Sequence, residues 1–201
     1  MAGSDGLAPT SSPRGRTPER ISLYLTNIRL DPYRATGMQE WTVMGKAVRG
    51  AVEPDPEAKA RVLWARLAPD MLLVSSDTAP AWGKLPGAVS ATFHPMPLHR
   101  AGETVEWELI SAPTERRGED GKSGKRVPVP ESGFEAWLDR RLDGALEVTS
   151  VGWKHLGGRP ARYHFDGLAR VVDGERLREL SLKGIGAGLR TGAGLLLTQE
   201  A

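Results

Sequence analysis

The chain has no cysteine. Disulfides and thiolate metal sites are therefore excluded, which fits a reducing compartment. Histidine is scarce: there are four in 201 residues, and the first is His94. Long apolar runs are missing too, and none reaches the roughly 18–20 residues a helical membrane span requires. The opening stretch MAGSDGLAPTSSPRGRTPER lacks the apolar core of a secretory signal. The expectation is a cytoplasmic protein with no membrane partner. An excess of one charge is nearly absent, since 27 Lys+Arg against 25 Asp+Glu leave a net +2. That balance gives no argument for a polyanionic partner, so a nucleic-acid reading must rest on local patches. No acidic cluster has metal-ligand spacing, so neither a metal nor another cofactor is expected.

What remains is ordinary globular material, 39% hydrophobic and 26% charged. It is enough for one large domain or two small ones with real cores. Residues 1–20 read as a flexible tail. ISLYLTNIRL is rich in β-formers and ends at Asp31-Pro32, so it predicts a strand. Thr36 is placed to cap a helix running to about Val52, with Trp41, Met44, Val48 and Ala51 at helical spacing. RVLWARL and MLLVSS predict two strands, followed by strands near Ser90–Met96 and Thr104–Ser111. A short segment around Ala79–Leu85 is the only candidate for a second helix in this half. TERRGEDGKSGKR predicts a mobile loop. A helix follows over Glu131 to about Asp143, with Phe134, Trp137, Leu138 and Leu142 as its buried stripe. Strands near Leu146–Lys154 and Ala161–Val172 come next, then a helix over about Glu175–Lys183. Gly184 is expected as an αL terminus, and GLLLTQ as the last strand. Strand, helix and strands thus occur twice in the same order, which predicts an α+β protein of two βαββαβ-like halves with helices on one face of each sheet.

Two segments carry candidate binding chemistry. Gly184–Gly194 places five glycines in eleven residues. Such a loop lets a partner approach the backbone and can offer N–H groups to anionic oxygens. A dinucleotide fingerprint would need a preceding strand and a following helix, and this loop has the reverse. The bland alternative is a glycine-rich turn with no ligand. The stretch Trp153–His164 holds Lys154, Arg159 and Arg162 with His155 and His164, and one acid-free hairpin of this kind can contact phosphates across a groove. The bland alternative is a solvated surface hairpin. Lys122, Lys125 and Arg126 form a third patch, diluted by Glu119 and Asp120.

At these residues the chain resembles a known family. Its closing GIGAGLRTGAGLL is similar to the C-terminal motif of the CRISPR repeat-RNA endoribonucleases, and more specifically of the type I-E Cascade member. LYLTNIRLD resembles that subfamily's first strand, and LLVSSDTAPAWGKLP, SAPTERRGEDGKSGKRVPV, GFEAWLDRRL and HFDGLARVVDGERLRELSLKGIGAGLRTGAGLLL follow in the family's order. The resemblance covers roughly residues 21–198, and the ordered set is far more specific than any one motif. It implies two tandem ferredoxin-like (RRM-like) domains, 21–112 and 113–201, after the tail of residues 1–20. It implies as partners a CRISPR repeat RNA, held at its 3′ stem-loop, and other Cascade subunits, especially a backbone subunit. Arg49, Lys122, Lys125, Arg126, Lys154, His155, Arg159, Arg162, Gly186, Gly188 and Arg190 are its RNA-binding candidates.

The resemblance also implies a reaction: a 2′-hydroxyl attacks the adjacent phosphorus without a metal and leaves a 2′,3′-cyclic phosphate and a 5′-hydroxyl. This needs proton transfer and cations on the phosphorane charge. Relatives use a histidine on the first helix. Aligning Lys46 with the family's lysine puts Trp41 at that position, and indole cannot shuttle a proton at neutral pH. Lys46 and Arg190 remain as the catalytic candidates. Trp41 has three readings: a core residue, a platform for an unpaired base, or a sign that a histidine arrives from elsewhere, with His155 first in line. A subunit that holds the hairpin and never cuts is the alternative to the enzyme, and an unrelated RRM-like module ranks last.

Overall fold

The computed structural model describes residues 24–55, 57–58, 60–117 and 124–201. The expected tail, residues 1–20, lies outside the described residues. The first half comprises β1 (Tyr24–Leu30), α1 (Trp41–Val52), β2 (Val62–Ala68), β3 (Met71–Ser76) and β4 (Ala88–His94), with sheet order β2-β3-β1-β4. The chain continues through β5 (Thr104–Ser111), a ribbon of β6 (Thr114–Arg117) and β7 (Lys125–Pro128), α2 (Phe134–Leu142), β8 (Leu146–Gly157), β9 (Arg162–Val171), α3 (Gly174–Lys183) and β10 (Leu196–Glu200). Its sheet runs β10-β5-β9-β8. Counted within each half, both orders are 4-1-3-2 with antiparallel neighbours, so the chain is an α+β pair of tandem ferredoxin-like domains. The duplication seen only as element order in the sequence is present as topology.

Strand parity explains how the halves meet. In β2, Val62 and Trp64 point to the core under α1, while Leu63 and Ala65 point away from it. In β3, Leu72 and Val74 take the first face and Leu73 the second. The second set packs with Ile110 and Leu195 from the other half. The sheets therefore share an apolar layer between them, with helices on their outer faces. Phe134, Trp137, Leu138 and Leu142 of α2 are all buried against the second sheet, as their spacing predicts. Arg61 ties the halves further: its Nη1 donates to the Leu182 carbonyl at 2.8 Å and its Nη2 to Ser75 Oγ at 3.0 Å.

Several expectations change. The first helix starts at Trp41 rather than Thr36. Asp31 Oδ1 accepts from the amides of Tyr33 and Arg34, making an Asx turn after β1. Thr36 Oγ1 then donates back to the carbonyls of Pro32 and Tyr33, so it does not cap the helix, and only a 3₁₀ turn forms over Thr36–Met38. The segment near Ala79–Leu85 likewise makes a 3₁₀ turn, Trp82–Lys84. With no second helix over that end of the sheet, Val89 and Phe93 on β4 stay 65% and 55% exposed. The segment expected as a mobile loop has paired flanks, Arg116 opposite Arg126 and Arg117 opposite Lys125. Gly184 has φ 79° and ψ 156°, a glycine conformation but not αL. β5 pairs with β9 and β10 in the second sheet. We therefore propose the division between the halves within 95–103 instead of near residue 112. Among the described residues, no helix is long and apolar enough to cross a membrane.

Candidate functional site

Three segments singled out by the sequence converge at the N-terminus of α1: α1 itself, the glycine-rich loop and the β8–β9 hairpin. Helix α1 turns Met44, Val48 and Ala51 inward. Lys46 is exposed on another face, while Arg49 is half-buried and its Nη1 donates to the Ala60 carbonyl at 3.3 Å. Gly45 is buried, and a β-carbon there would overlap the carbonyl oxygen of Arg190. The absent side chain lets the glycine-rich loop lie directly across the helix. Lys46 and Arg190 thus branch from neighbouring stretches of backbone, and both are exposed.

The loop is shaped by Gly188, in the αL region at φ 86° and ψ 17°, which opens a 3₁₀ turn over Leu189–Thr191. Gly192 follows at φ 78°. A β-carbon on it would lie 2.7 Å from the Trp64 ring and 2.8 Å from the Trp41 ring, so only glycine closes this turn on the indoles. The fold uses several of the loop's amides: Thr191 and Ala193 donate to the Gly188 carbonyl, Ile185 to Gly194, and Gly194 to Ile110. Gly186 abuts Ser111 Oγ and Trp137, and its neighbour Ala187 bridges to Ala112 at the base of the ribbon. Packing alone accounts for Gly186, and the broad display of amides expected from the loop is correspondingly narrowed.

Trp41 is half-buried in this junction. Its ring lies 5.7 Å from that of Trp64, centroid to centroid, and the Arg162 guanidinium carbon sits 4.9 Å above it. Arg162 Nη2 also donates to Thr191 Oγ1 at 2.9 Å, and that hydroxyl donates to the Gly188 carbonyl at 3.1 Å. The sequence groups Arg162 with the phosphate-contacting cations of the hairpin, but only 5% of it is exposed. Burial holds its pKa below the usual arginine value.

The rest of the hairpin is open. Lys154 and Arg159 are exposed, and Gly157 at the end of β8 and Gly158 in the turn have φ of 78° and 94°. His155 is exposed as well and pairs across the ladder with Tyr163, their rings 5.0 Å apart. Alternation along β9 puts Tyr163 and Arg162 on opposite faces. His155 therefore lies on the face away from Trp41 and does not supply an imidazole at the junction. His164 Nε2 is 3.1 Å from Glu108 Oε2. In the ribbon, Lys125 and Arg126 are exposed, Glu115 pairs with Arg140 of α2, and Lys122 lies outside the described residues.

The structure thus brings together Trp41, Arg162 and the turn that carries Arg190, with Lys46 following Gly45 on an exposed face of α1, and leaves His155 and the ribbon cations apart from them. Gly45, Trp64 and Thr191 complete the junction, and sequence reasoning does not find them. A glycine inside a helical pattern is the available signal for the first of them. Neither α1 nor the loop from Gly184 to Gly194 contains a carboxylate or a histidine. Chemically, the junction holds one buried guanidinium, and two exposed cations branch from the backbone that forms it, a set that suits an anionic oxygen or a phosphorane more than a metal ion.

Comparison with known proteins covers nearly the whole described chain. A family model described as CRISPR associated protein matches residues 23–199. The CRISPR-associated endoribonuclease Cse3 of Thermus thermophilus is 29% identical over 213 residues, spanning 87% of this chain and 98% of that protein. A structure of Thermus thermophilus Cse3 bound to an RNA representing a pre-cleavage complex superposes with a TM-score of 0.72 at 26% identity, covering 88% of this chain and 98% of the other. The CRISPR-associated protein Cas6e of Escherichia coli str. K-12 shares the fold, with a TM-score of 0.67 at 20% identity over 89% of this chain and all of that one, 100%.

Proposed function

The chain belongs to the family of CRISPR-associated proteins, and from that premise we propose that it binds the stem-loop of a CRISPR repeat RNA and cuts it as a metal-independent endoribonuclease. One observation supports this reading most: Gly45 lets the Arg190 backbone lie on α1, so Lys46 and Arg190 branch from adjoining backbone at the junction that the basic hairpin also borders. The RNA stem lies against Lys154 and Arg159, whose exposed charges take phosphates on the two sides of a groove. The strand leaving the stem then passes the junction.

The reaction makes one bond and breaks one. The 2′-oxygen bonds to the adjacent phosphorus, the P–O5′ bond breaks, and the products are a 2′,3′-cyclic phosphate and a 5′-hydroxyl. The proton lost by the 2′-hydroxyl and the one gained by the 5′-oxygen balance. Lys46 and Arg190 stabilise the charge that develops on the phosphorane oxygens. With indole in place of imidazole, the protons exchange with water or with Lys46, and the rate lacks the roughly 10²–10⁴-fold contribution of a positioned acid–base group. The product stays bound, with the protein remaining as a subunit of a type I-E Cascade complex alongside a backbone subunit.

A second reading, retention of the hairpin without cutting, is favoured by one specific feature. Trp41 is locked between Trp64, Gly192 and Arg162, where a proton shuttle would have to stand. Both readings require hairpin recognition. Titration with a synthetic repeat hairpin from the source genome, and with the same RNA after its stem is disrupted, tests that shared part. Intact hairpin is expected to bind at least about tenfold more tightly, a difference of ~1.4 kcal/mol. Equal affinities would contradict the proposal.

A further inference from the structure

We infer that Arg162 is a positioning residue, which holds the Leu189–Thr191 turn and its Arg190 against the start of α1 and makes no contact with RNA phosphate. The role of Arg190 rests on the cleavage reading above; the positioning itself does not. In sequence Arg162 belongs to the basic hairpin, and its guanidinium still lies under the hairpin turn at Gly158, but the side chain is turned inward. Lys154 and Arg159 are exposed, whereas Arg162 is 5% exposed.

Its contacts reach both halves of the molecule. The guanidinium carbon sits over the ring of Trp41, the first residue of α1, at 4.9 Å. Its edge donates to Thr191 Oγ1 at 2.9 Å. Thr191 has a single hydroxyl proton, which it gives to the Gly188 carbonyl at 3.1 Å. Its lone pair is then free for Arg162, and the two bonds together close the turn that carries Arg190. One side chain therefore fixes the indole and the turn relative to each other.

The electrostatics agree with this geometry. Buried arginines are ordinarily paired with an acid. Here burial shifts the pKa, and among the described residues no carboxylate offsets it and Nε has no partner. An uncompensated charge raises the positive potential where Lys46 and Arg190 are exposed, which favours an anion arriving beside it. Lysine would not substitute, since an ammonium has neither the flat face for Trp41 nor the rigid fork for Thr191.

The test uses the full-length protein with Arg162→Met, Arg162→Lys and Thr191→Val, probed with the synthetic repeat hairpin RNA. Single-turnover cleavage should slow about tenfold or more in all three, because small displacements of a catalytic group cost that much. Hairpin affinity should stay within about threefold, with the salt dependence of log K unchanged. Amide exchange across 188–193 should quicken in Arg162→Met and Thr191→Val without RNA present. A salt slope lowered by about one unit in Arg162→Met, with Thr191→Val behaving as wild type, would make Arg162 a phosphate ligand and overturn the inference. Unchanged exchange across 188–193 would also overturn it. A wild-type protein that never cuts defeats only the cleavage reading, and the exchange measurement then decides this one. If Arg162→Met fails to fold, Thr191→Val, nearly isosteric, decides in its place by the same exchange measurement.

Discussion

Replacing Trp41 with histidine puts an acid–base group where the family resemblance places one, and the structure sets both its cost and its gain. The substitution removes a cation–π contact with Arg162 at 4.9 Å, worth roughly 0.5–2 kcal/mol. It also removes the aromatic pair with Trp64 at 5.7 Å, worth roughly 0.5–1.5 kcal/mol. The combined loss of about 1–3.5 kcal/mol is below the ~5–15 kcal/mol that holds a typical domain together, so the variant should fold with a lowered melting temperature. The gain is a proton shuttle, which contributes roughly 10²–10⁴-fold where it is positioned. The guanidinium of Arg162 disfavours a second positive charge, so the new imidazole should titrate below its unperturbed value of about 6.5. It would be neutral at pH 7 and able to act as the base. The assay is single-turnover cleavage of repeat hairpin RNA in EDTA between pH 5 and 9, alongside thermal melts. A folded Trp41→His protein that cuts no faster than wild type, with no new titration in its rate profile, would refute the placement of Trp41 at the reaction centre.

Other substitutions separate binding from cutting. Lys46→Ala should abolish measurable cleavage while hairpin affinity changes little, which single-turnover rates and titrations on one preparation will check. Lys154→Ala and Arg159→Ala should each weaken hairpin binding and lower the salt slope of log K by roughly one unit, read from titrations across a salt series. Gly45→Ala should destabilise by about 1–3 kcal/mol in chemical denaturation, because its methyl overlaps the Arg190 carbonyl and the loop must shift. It should slow cleavage as well, and an Ala variant as stable and active as wild type would remove the reason for joining Lys46 to Arg190.

Much of the fold was legible because periodicity reports on one buried face at a time. The α2 stripe of Phe134, Trp137, Leu138 and Leu142 is buried as its spacing requires. The order of elements was enough to imply two equivalent halves. The contacts between those halves were not legible. Leu63, Ala65 and Leu73 read as parts of short apolar runs, and nothing local says that their second face meets Ile110 and Leu195. The start of α1 is displaced because Thr36 has the right chemistry for a cap, yet its hydroxyl is taken by the preceding turn. At the site, the sequence indicates which segments matter but not what each cation does. Lys154, Arg159 and Arg162 are equivalent as a string, and the approach of Trp41, Thr191 and the hairpin's own Gly158 buries the third. His155 is a reasonable substitute imidazole until strand parity turns it to the opposite face.

Whether this chain cuts the repeat RNA it holds, without a metal and from the junction of α1 with the glycine-rich loop, can be measured directly. Purified full-length protein is incubated with end-labelled repeat hairpin RNA in excess EDTA, and the new ends are analysed. The expected outcome is one cut near the base of the stem, slow for an enzyme of this kind, with a 2′,3′-cyclic phosphate on the upstream fragment and a 5′-hydroxyl on the other. Cleavage that starts only with Mg²⁺ or Mn²⁺ would contradict that mechanism, as would intact RNA after long incubation with bound protein.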